Sequence, residues 1–216
     1  MPFTVAILGV VLSYVWILEP RLPSSWVAAP VIVVLGLGVW KAVRSGDWGV
    51  RFDALLSAFR ATAIFTAAIV AIIGVAGAAA GTLHDRRDFF GNLLALVVWG
   101  GGQQWVLQTV LLREAQGVTS RRAAIVVAAA LFAALHLPNP FLTTMTFIGA
   151  LGWCAIYDRH PNVIPLALSH AIATLAILYA FDDAMTGRLR IGPAYSRAAA
   201  VAQPFRAASA ARPRQA

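Results

Sequence analysis

The stretch Trp99-Gly-Gly-Gly-Gln-Gln-Trp-Val-Leu-Gln-Thr-Val-Leu-Leu-Arg113 carries three glutamines within an otherwise apolar run. An amide without a hydrogen-bond partner is costly in an apolar medium, so these side chains need polar neighbours. The candidate partners on later apolar segments are His136, His170 and Thr174. The stretch therefore predicts a polar cluster inside a helical membrane bundle.

Composition is typical of a membrane protein. Of the 216 residues, 60% are hydrophobic and 12% are charged, whereas soluble domains carry about 25% charged residues. A formal charge of +8 would suggest nucleic acid as the partner of a soluble protein. Here the cations lie between apolar segments and near the C-terminus, as expected for loops and lipid headgroup contacts. We therefore expect membrane lipids as partners, and no nucleic acid.

Seven segments approach the roughly 20 apolar residues that a helix needs to cross a bilayer. They cover residues 3–18, 26–43, 54–80, 92–112, 123–137, 141–157 and 163–181. These segments predict an all-α fold over residues 1–181: a polytopic helical membrane bundle of about seven transmembrane helices with an internal polar cavity. Residues 182–216 are rich in arginine, alanine and proline and lack a sustained apolar face, which predicts a tail that is disordered or lies on the membrane.

The spacing of the glutamines puts them on one side of the fourth segment. Gln104 and Gln108 are four residues apart and share a helix face, and Gln103 borders that face. Glutamine amides can simply join membrane helices by hydrogen bonds. Three of them within six residues, directly after three glycines, favour an internal site over that purely structural role.

Two histidines lie in apolar surroundings. His136 ends the fifth segment, one turn after Phe132, and His170 lies mid-segment, one turn before Thr174. Because the unperturbed pKa of histidine is about 6.5, each ring can act as a base or a hydrogen-bond donor at neutral pH. Two imidazoles with several amides can hold a water molecule and stabilise an oxyanion.

No cofactor is expected from the sequence. The glycines before Gln103 lie within a span and do not form a phosphate-binding loop. A catalytic zinc site usually needs three protein ligands, and no third residue accompanies the two histidines. Glu114 is about 16 Å along the helix axis from Gln103 and is assigned to the following loop. We therefore expect no metal.

The order of these motifs resembles the CPBP membrane proteins, which include the type II CAAX prenyl endopeptidases and the bacteriocin-processing or immunity (Abi) proteins. That family carries a Glu-Glu-x-x-x-Arg helix, then Phe-x-x-x-His, then His-x-x-x-Asn, each on a membrane helix. The resemblance covers about residues 92–181. The corresponding positions here hold Gln103, Gln104 and Gln108, then Phe132 and His136, then His170 and Thr174.

The resemblance implies an integral protein of the bacterial inner membrane that hydrolyses a peptide bond in a membrane protein or a prenylated peptide. In the family a glutamate activates the attacking water, and the histidines and the asparagine assist or hold the oxyanion. Transferred by position, the catalytic residues would be Gln103, Gln104, Gln108, His136, His170 and Thr174. A glutamine amide is not a useful base at neutral pH, unlike a tuned carboxylate. The acids and the arginine are absent together, which leaves a neutral network and indicates a coherent variant.

Three interpretations follow from this departure. The first is an intramembrane endopeptidase of altered mechanism, with His136 or His170 as the base and the glutamines positioning water or the carbonyl group. The second is a family member without hydrolytic activity that binds a membrane helix, a lipid or a prenyl-like ligand in the same cavity. The third is a membrane scaffold whose glutamines only pack helices.

Overall fold

The computed structural model describes residues 1–85 and 88–197, and within these ranges the regular secondary structure is entirely helical. The all-α prediction is therefore confirmed. The α-helices are α1 Pro2–Ser13, α2 Ala28–Ser45, α3 Leu55–Ala80, α4 Phe89–Val106, α5 Arg113–Gln116, α6 Arg121–Ala134, α7 Pro140–Arg159, α8 Val163–Ala180 and α9 Asp183–Thr186. Two π-helical segments, Tyr14–Leu18 and Leu107–Leu112, extend α1 and join α4 to α5. Short 3-10 turns cover Ser24–Val27, Phe52–Ala54 and Gly187–Leu189.

Within the described ranges, four helical segments are long and apolar enough to cross a membrane. They are Ser24–Ser45, Phe52–Ala80, Pro140–Arg159 and Val163–Ala180, and Pro2–Leu18 is a shorter apolar helix. The predicted spans at residues 92–112 and 123–137 are also helical, but the count of seven spans is not confirmed. Large apolar side chains cover the outer surface of α3, where Ile64 is 73% exposed and Ile72 is 69% exposed. A lipid bilayer gives such a surface an apolar environment.

Helix α8 packs against both α3 and α4, and α6 packs against α7. The α6–α7 contact is close because fully buried alanines lie on both helices, such as Ala128 and Ala150. Small residues at helix contacts let membrane helices approach each other. This arrangement places the glutamine-bearing side of α4 beside the middle of α8, where His170 lies.

Polar caps define the turns between the later helices. Asn139 Oδ1 accepts a hydrogen bond from the backbone N–H of Leu142 at the start of α7. Asn162 Oδ1 accepts one from Ile164 at the start of α8. Such caps satisfy backbone donors that have no partner within the helix. The turn before α7 therefore has a fixed geometry, and that turn carries His136.

The chain directly after α8 packs against the turn that precedes α7. Asn139 Nδ2 donates to the backbone oxygens of Thr186 (2.8 Å) and Arg190 (3.0 Å). The Gly192 N–H donates to the Leu137 carbonyl at 2.8 Å. Residues 182–192 are therefore packed against the turn that carries His136, through side-chain and backbone hydrogen bonds that composition does not reveal. The remainder of the predicted tail, residues 198–216, lies outside the described residues.

A charged cluster, which we call the loop-end cluster, lies around α5. Arg113 Nε donates to Asp47 Oδ2 at 2.9 Å, and Gln116 Nε2 donates to Asp158 Oδ1 at 2.7 Å. The carboxylate of Glu114 accepts hydrogen bonds from the backbone N–H groups of Phe3 and Thr4, at the start of α1. Glu114 therefore lies in a helix rather than in the expected loop, and it anchors the N-terminus of α1, where negative charge is favourable.

Candidate active site

A cavity of about 340 Å³ lies between α3, α4, α7 and α8. Its wall is mostly apolar, with contributions from isoleucines of α3, Trp99 of α4 and Met145 of α7. Leu189 and Ile191, from the segment after α8, complete the wall. The polar side chains that line the cavity are Gln103, His136, Thr146, His170 and Thr174.

The three glutamines separate into two positions. Gln104 and Gln108 are fully buried behind the cavity wall. Gln108 Nε2 donates to Gln104 Oε1 at 3.0 Å, and Gln104 Nε2 lies 3.2 Å from His170 Nδ1. Gln103 instead lines the cavity. The predicted face shared by Gln104 and Gln108 therefore forms, and of the three proposed partners it contacts His170.

His170 is held on several sides. Its ring stacks on the indole of Trp153, with the ring centroids 4.8 Å apart and the planes 9° from parallel. The ring of Phe132 approaches it edge-on at 6.4 Å. At Gly100, a Cβ atom would lie 3.2 Å from Cγ of His170, closer than ordinary van der Waals contact. The absence of a side chain at Gly100 thus allows α4 to approach His170 closely.

His136 has a different environment. Its Nδ1 lies 2.8 Å from the carbonyl oxygen of Phe132, one turn earlier. A carbonyl oxygen only accepts hydrogen bonds, so Nδ1 carries the proton of the ring. The neutral imidazole therefore has an unprotonated Nε2, and this side chain lines the cavity. The histidine is 9% exposed, which limits its access to water to the cavity side.

No sequence motif indicates the residues that support His170. Trp153 Nε1 donates to Ser169 Oγ at 3.0 Å, and Ser169 Oγ lies 2.7 Å from Thr66 Oγ1. These contacts fix the plane of the indole on which His170 stacks. Ser169 precedes His170 in sequence, but the neighbouring position does not reveal a tryptophan on α7 or a threonine on α3 as partners.

Two threonines line the cavity without joining the glutamine network. Thr174 Oγ1 donates to the backbone oxygen of His170 at 2.9 Å, and Thr146 Oγ1 donates to that of Leu142 at 2.8 Å. Both hydroxyl oxygens keep acceptor capacity toward the cavity. Thr174 was predicted as a site residue and Thr146 was not, because Thr146 belongs to none of the three motifs.

The chemistry available at the cavity is that of neutral groups. Among the described residues, no group of three histidine, cysteine or acidic side chains could hold a metal ion. The cavity offers an imidazole nitrogen that can accept a proton, together with an amide and hydroxyl oxygens. This set can bind water or a peptide carbonyl group by hydrogen bonds.

The model of the family "Type II CAAX prenyl endopeptidase Rce1-like" matches residues 86–176. This region runs from just before α4 into α8 and contains all six of the predicted site residues. No curated protein and no solved structure matches the chain. The match confirms the CPBP resemblance. This chain is an integral membrane protein whose residues 86–176 are similar to the Rce1-like type II CAAX prenyl endopeptidases.

Proposed function

We propose that this protein is an intramembrane endopeptidase that hydrolyses a peptide bond in its cavity, with His136 as the general base. The observation that carries the proposal is the hydrogen bond from His136 Nδ1 to the Phe132 carbonyl at 2.8 Å. That bond leaves Nε2 unprotonated in a side chain that lines the cavity. His136 thereby takes the role that a glutamate has in the family.

The reaction can be written with the residues present. His136 Nε2 removes a proton from a water molecule while the water oxygen bonds to the carbonyl carbon of the peptide. The resulting oxyanion accepts a hydrogen bond from the Gln103 amide, which lines the same cavity. His136 then gives its proton to the amide nitrogen as the carbon–nitrogen bond breaks. The products are a new carboxyl group and a new amine.

The expected substrate is a membrane protein or a prenylated peptide. The mostly apolar cavity wall supports a substrate with an apolar chain beside the cleaved bond, since burying such a chain is favourable. The expected location is the bacterial inner membrane, where substrate and enzyme share one bilayer. Gln104, Gln108 and Thr174 are proposed as residues that position His170 and the substrate rather than as proton acceptors.

One observation favours a second function. Gln104 occupies a position that a glutamate holds in the family, but it is fully buried and its amide contacts His170. It cannot act as a carboxylate base toward water in the cavity. A family member without hydrolytic activity would use the same cavity to bind a membrane helix, a lipid or a prenyl-like ligand, in a pseudoprotease, immunity or scaffold role.

The two functions are separated by proteolysis in reconstituted membranes. Wild type, His136→Ala, His170→Ala and Gln104→Ala would be incubated with prenylated CAAX peptides and a panel of single-span proteins. His160→Ala, at the end of α7, is the matched histidine control. We expect cleavage by wild type and by His160→Ala, and a loss of at least about 100-fold in His136→Ala, because general base catalysis typically contributes that much.

Absence of cleavage across the panel would contradict the endopeptidase proposal if the folded protein still retains a lipid or helix partner. In that case Gln104→Ala should weaken retention in a pull-down. Cleavage that persists in His136→Ala would contradict the role of His136 as the general base, but it would still show that the protein is an endopeptidase.

A further inference from the structure

We propose that Gln104 and Gln108 act as a relay that holds His170 as a hydrogen-bond donor toward the cavity. The site then pairs one imidazole that accepts a proton, His136, with one that donates. The tautomer itself follows from the hydrogen bonds of the buried network, and only its catalytic use rests on the proposed function.

The relay begins at Gln108. Its Nε2 donates to Gln104 Oε1 at 3.0 Å, so the oxygen of the Gln104 amide points toward Gln108. An amide carries its donor and its acceptor on opposite branches. The NH2 group of Gln104 is therefore directed at His170 Nδ1, at 3.2 Å. Both amides are fully buried, so water does not compete for these groups.

The proton of His170 follows from that direction. If Nδ1 accepts a hydrogen bond from Gln104, the neutral ring carries its proton on Nε2. The Gln104 amide thus sets the Nε2 atom of His170 as the donor of the ring.

These two tautomers make the rings complementary. His136 donates through Nδ1 to Phe132, so its Nε2 is an acceptor, whereas the Nε2 of His170 is a donor. Both side chains line the same cavity. A peptide oxygen that becomes negative during hydrolysis needs hydrogen-bond donors, and a His170 ring protonated on Nε2 fits the oxyanion-holding role that the family resemblance implies for this histidine. Gln104 and Gln108 are positioning residues that act through His170.

The test is nitrogen-15 NMR of histidine-labelled protein in lipid at neutral pH, which distinguishes protonated from unprotonated ring nitrogens. The His170 signals would be assigned by comparison with His170→Asn. We expect protonated Nε2 and unprotonated Nδ1 in wild type. In Gln108→Met, which does not touch His170, we expect the tautomer ratio to shift by roughly tenfold toward a mixture, since one directing hydrogen bond is lost. Gln116→Met, on α5 in the loop-end cluster, is the matched control and should leave the spectrum unchanged.

The outcomes separate this inference from the proposed function. A wild-type His170 with protonated Nδ1 would overturn the inference even if the protein cleaves its substrates. Gln104→Met serves if Gln108→Met does not fold, and an unchanged tautomer ratio in that variant would also overturn the inference. The expected spectra together with no cleavage would keep the relay and refute the proposed hydrolysis.

Discussion

The continuous helical segment at residues 89–116 carries polar clusters of opposite character at its C-terminus and near its middle, which we call the loop end and the cavity end. At the loop end, Arg113 pairs with Asp47, and Gln116 bonds Asp158. At the cavity end, the network of Gln104, Gln108 and His170 contains no charged residue. One helix thus supports an ionic cluster near a connection and a neutral cluster in the middle of the bundle.

The two clusters differ in how much of their hydrogen-bonding capacity remains unused. The loop-end groups are hydrogen-bonded to one another, and the Arg113 guanidinium also lies over the Tyr157 ring at 5.1 Å. At the cavity end, the Gln108 amide bonds to Gln104 and the Gln104 amide contacts His170, whereas Gln108 Oε1 has no hydrogen-bond partner among the described residues and both histidine side chains line the cavity. Polar side chains that satisfy each other indicate a structural role, whereas unused capacity next to a cavity indicates a site.

Introducing an arginine into each cluster should give the largest difference in unfolding free energy between them. Gln108→Arg puts a charge at a fully buried position without a carboxylate partner in the described network. We expect it to lower the free energy of unfolding by about 3–5 kcal/mol. Gln116→Arg places the cation beside Asp158 and should cost less than about 1 kcal/mol. Denaturant unfolding in lipid or detergent measures both, and equal losses would contradict the distinction between the two ends.

Removing an anion from the loop end should affect stability and not the cavity. Asp47→Ala leaves Arg113 without its charged partner and should cost about 2 kcal/mol of unfolding free energy, because hydrogen bonds to charged groups are among the stronger ones. The matched control is Asp53→Ala, whose pair with Arg51 is largely exposed, and it should unfold like wild type. The tautomer ratio of His170 should not change in either variant. A change in Asp47→Ala would show that the two ends are coupled.

A methyl group added beside His170 should affect the cavity end alone. In Gly100→Ala the new carbon would lie 3.2 Å from the imidazole, whereas at Gly102 it would meet nothing within 4 Å. We expect Gly100→Ala to reduce the hydrolysis rate about tenfold, since small displacements of a reacting group are costly. Gly102→Ala should cleave at the wild-type rate. Initial hydrolysis rates measured at equal concentrations of folded protein test this prediction. Equal rates for the two variants would contradict a role of His170 in hydrolysis.

The smallest effect is expected at Glu114. Its carboxylate accepts two backbone hydrogen bonds at the start of α1, and Glu114→Gln keeps the shape while removing the charge. We expect a loss of about 0.5–1 kcal/mol in unfolding free energy, the usual worth of an anion at a helix N-terminus. Glu19→Gln, at an exposed ion pair with Arg197, is the control and should have a smaller effect. A loss of hydrolysis in folded Glu114→Gln would contradict its purely structural role.

Much of the helical fold is predictable from the sequence, because apolar length is a strong signal in a membrane protein. All seven predicted segments are helical. The spacing of Gln104 and Gln108 also correctly predicts a shared face toward a later polar residue. The packing of residues 182–192 could not be predicted, because it depends on one buried amide, Asn139, which bonds two backbone oxygens far along the chain.

The sequence motifs name candidate site residues but do not show their geometry. Sequence spacing does not show that Gln103 lines the cavity while Gln104 lies behind it. It also does not show the stacking of Trp153 on His170, since the two residues lie on separate helices with no shared motif. The proton positions on the two histidines depend on contacts with Phe132 and Gln104 that only the three-dimensional arrangement provides.

The most direct test of the central claim is cleavage in oxygen-18 water by wild-type protein reconstituted with a prenylated CAAX peptide, beside His136→Ala. The account predicts a product from wild type whose new carboxyl group carries one solvent oxygen, and at least about 100-fold less of it from His136→Ala. Intact peptide after prolonged incubation with folded wild-type protein that still binds the peptide would contradict hydrolysis and leave a binding protein.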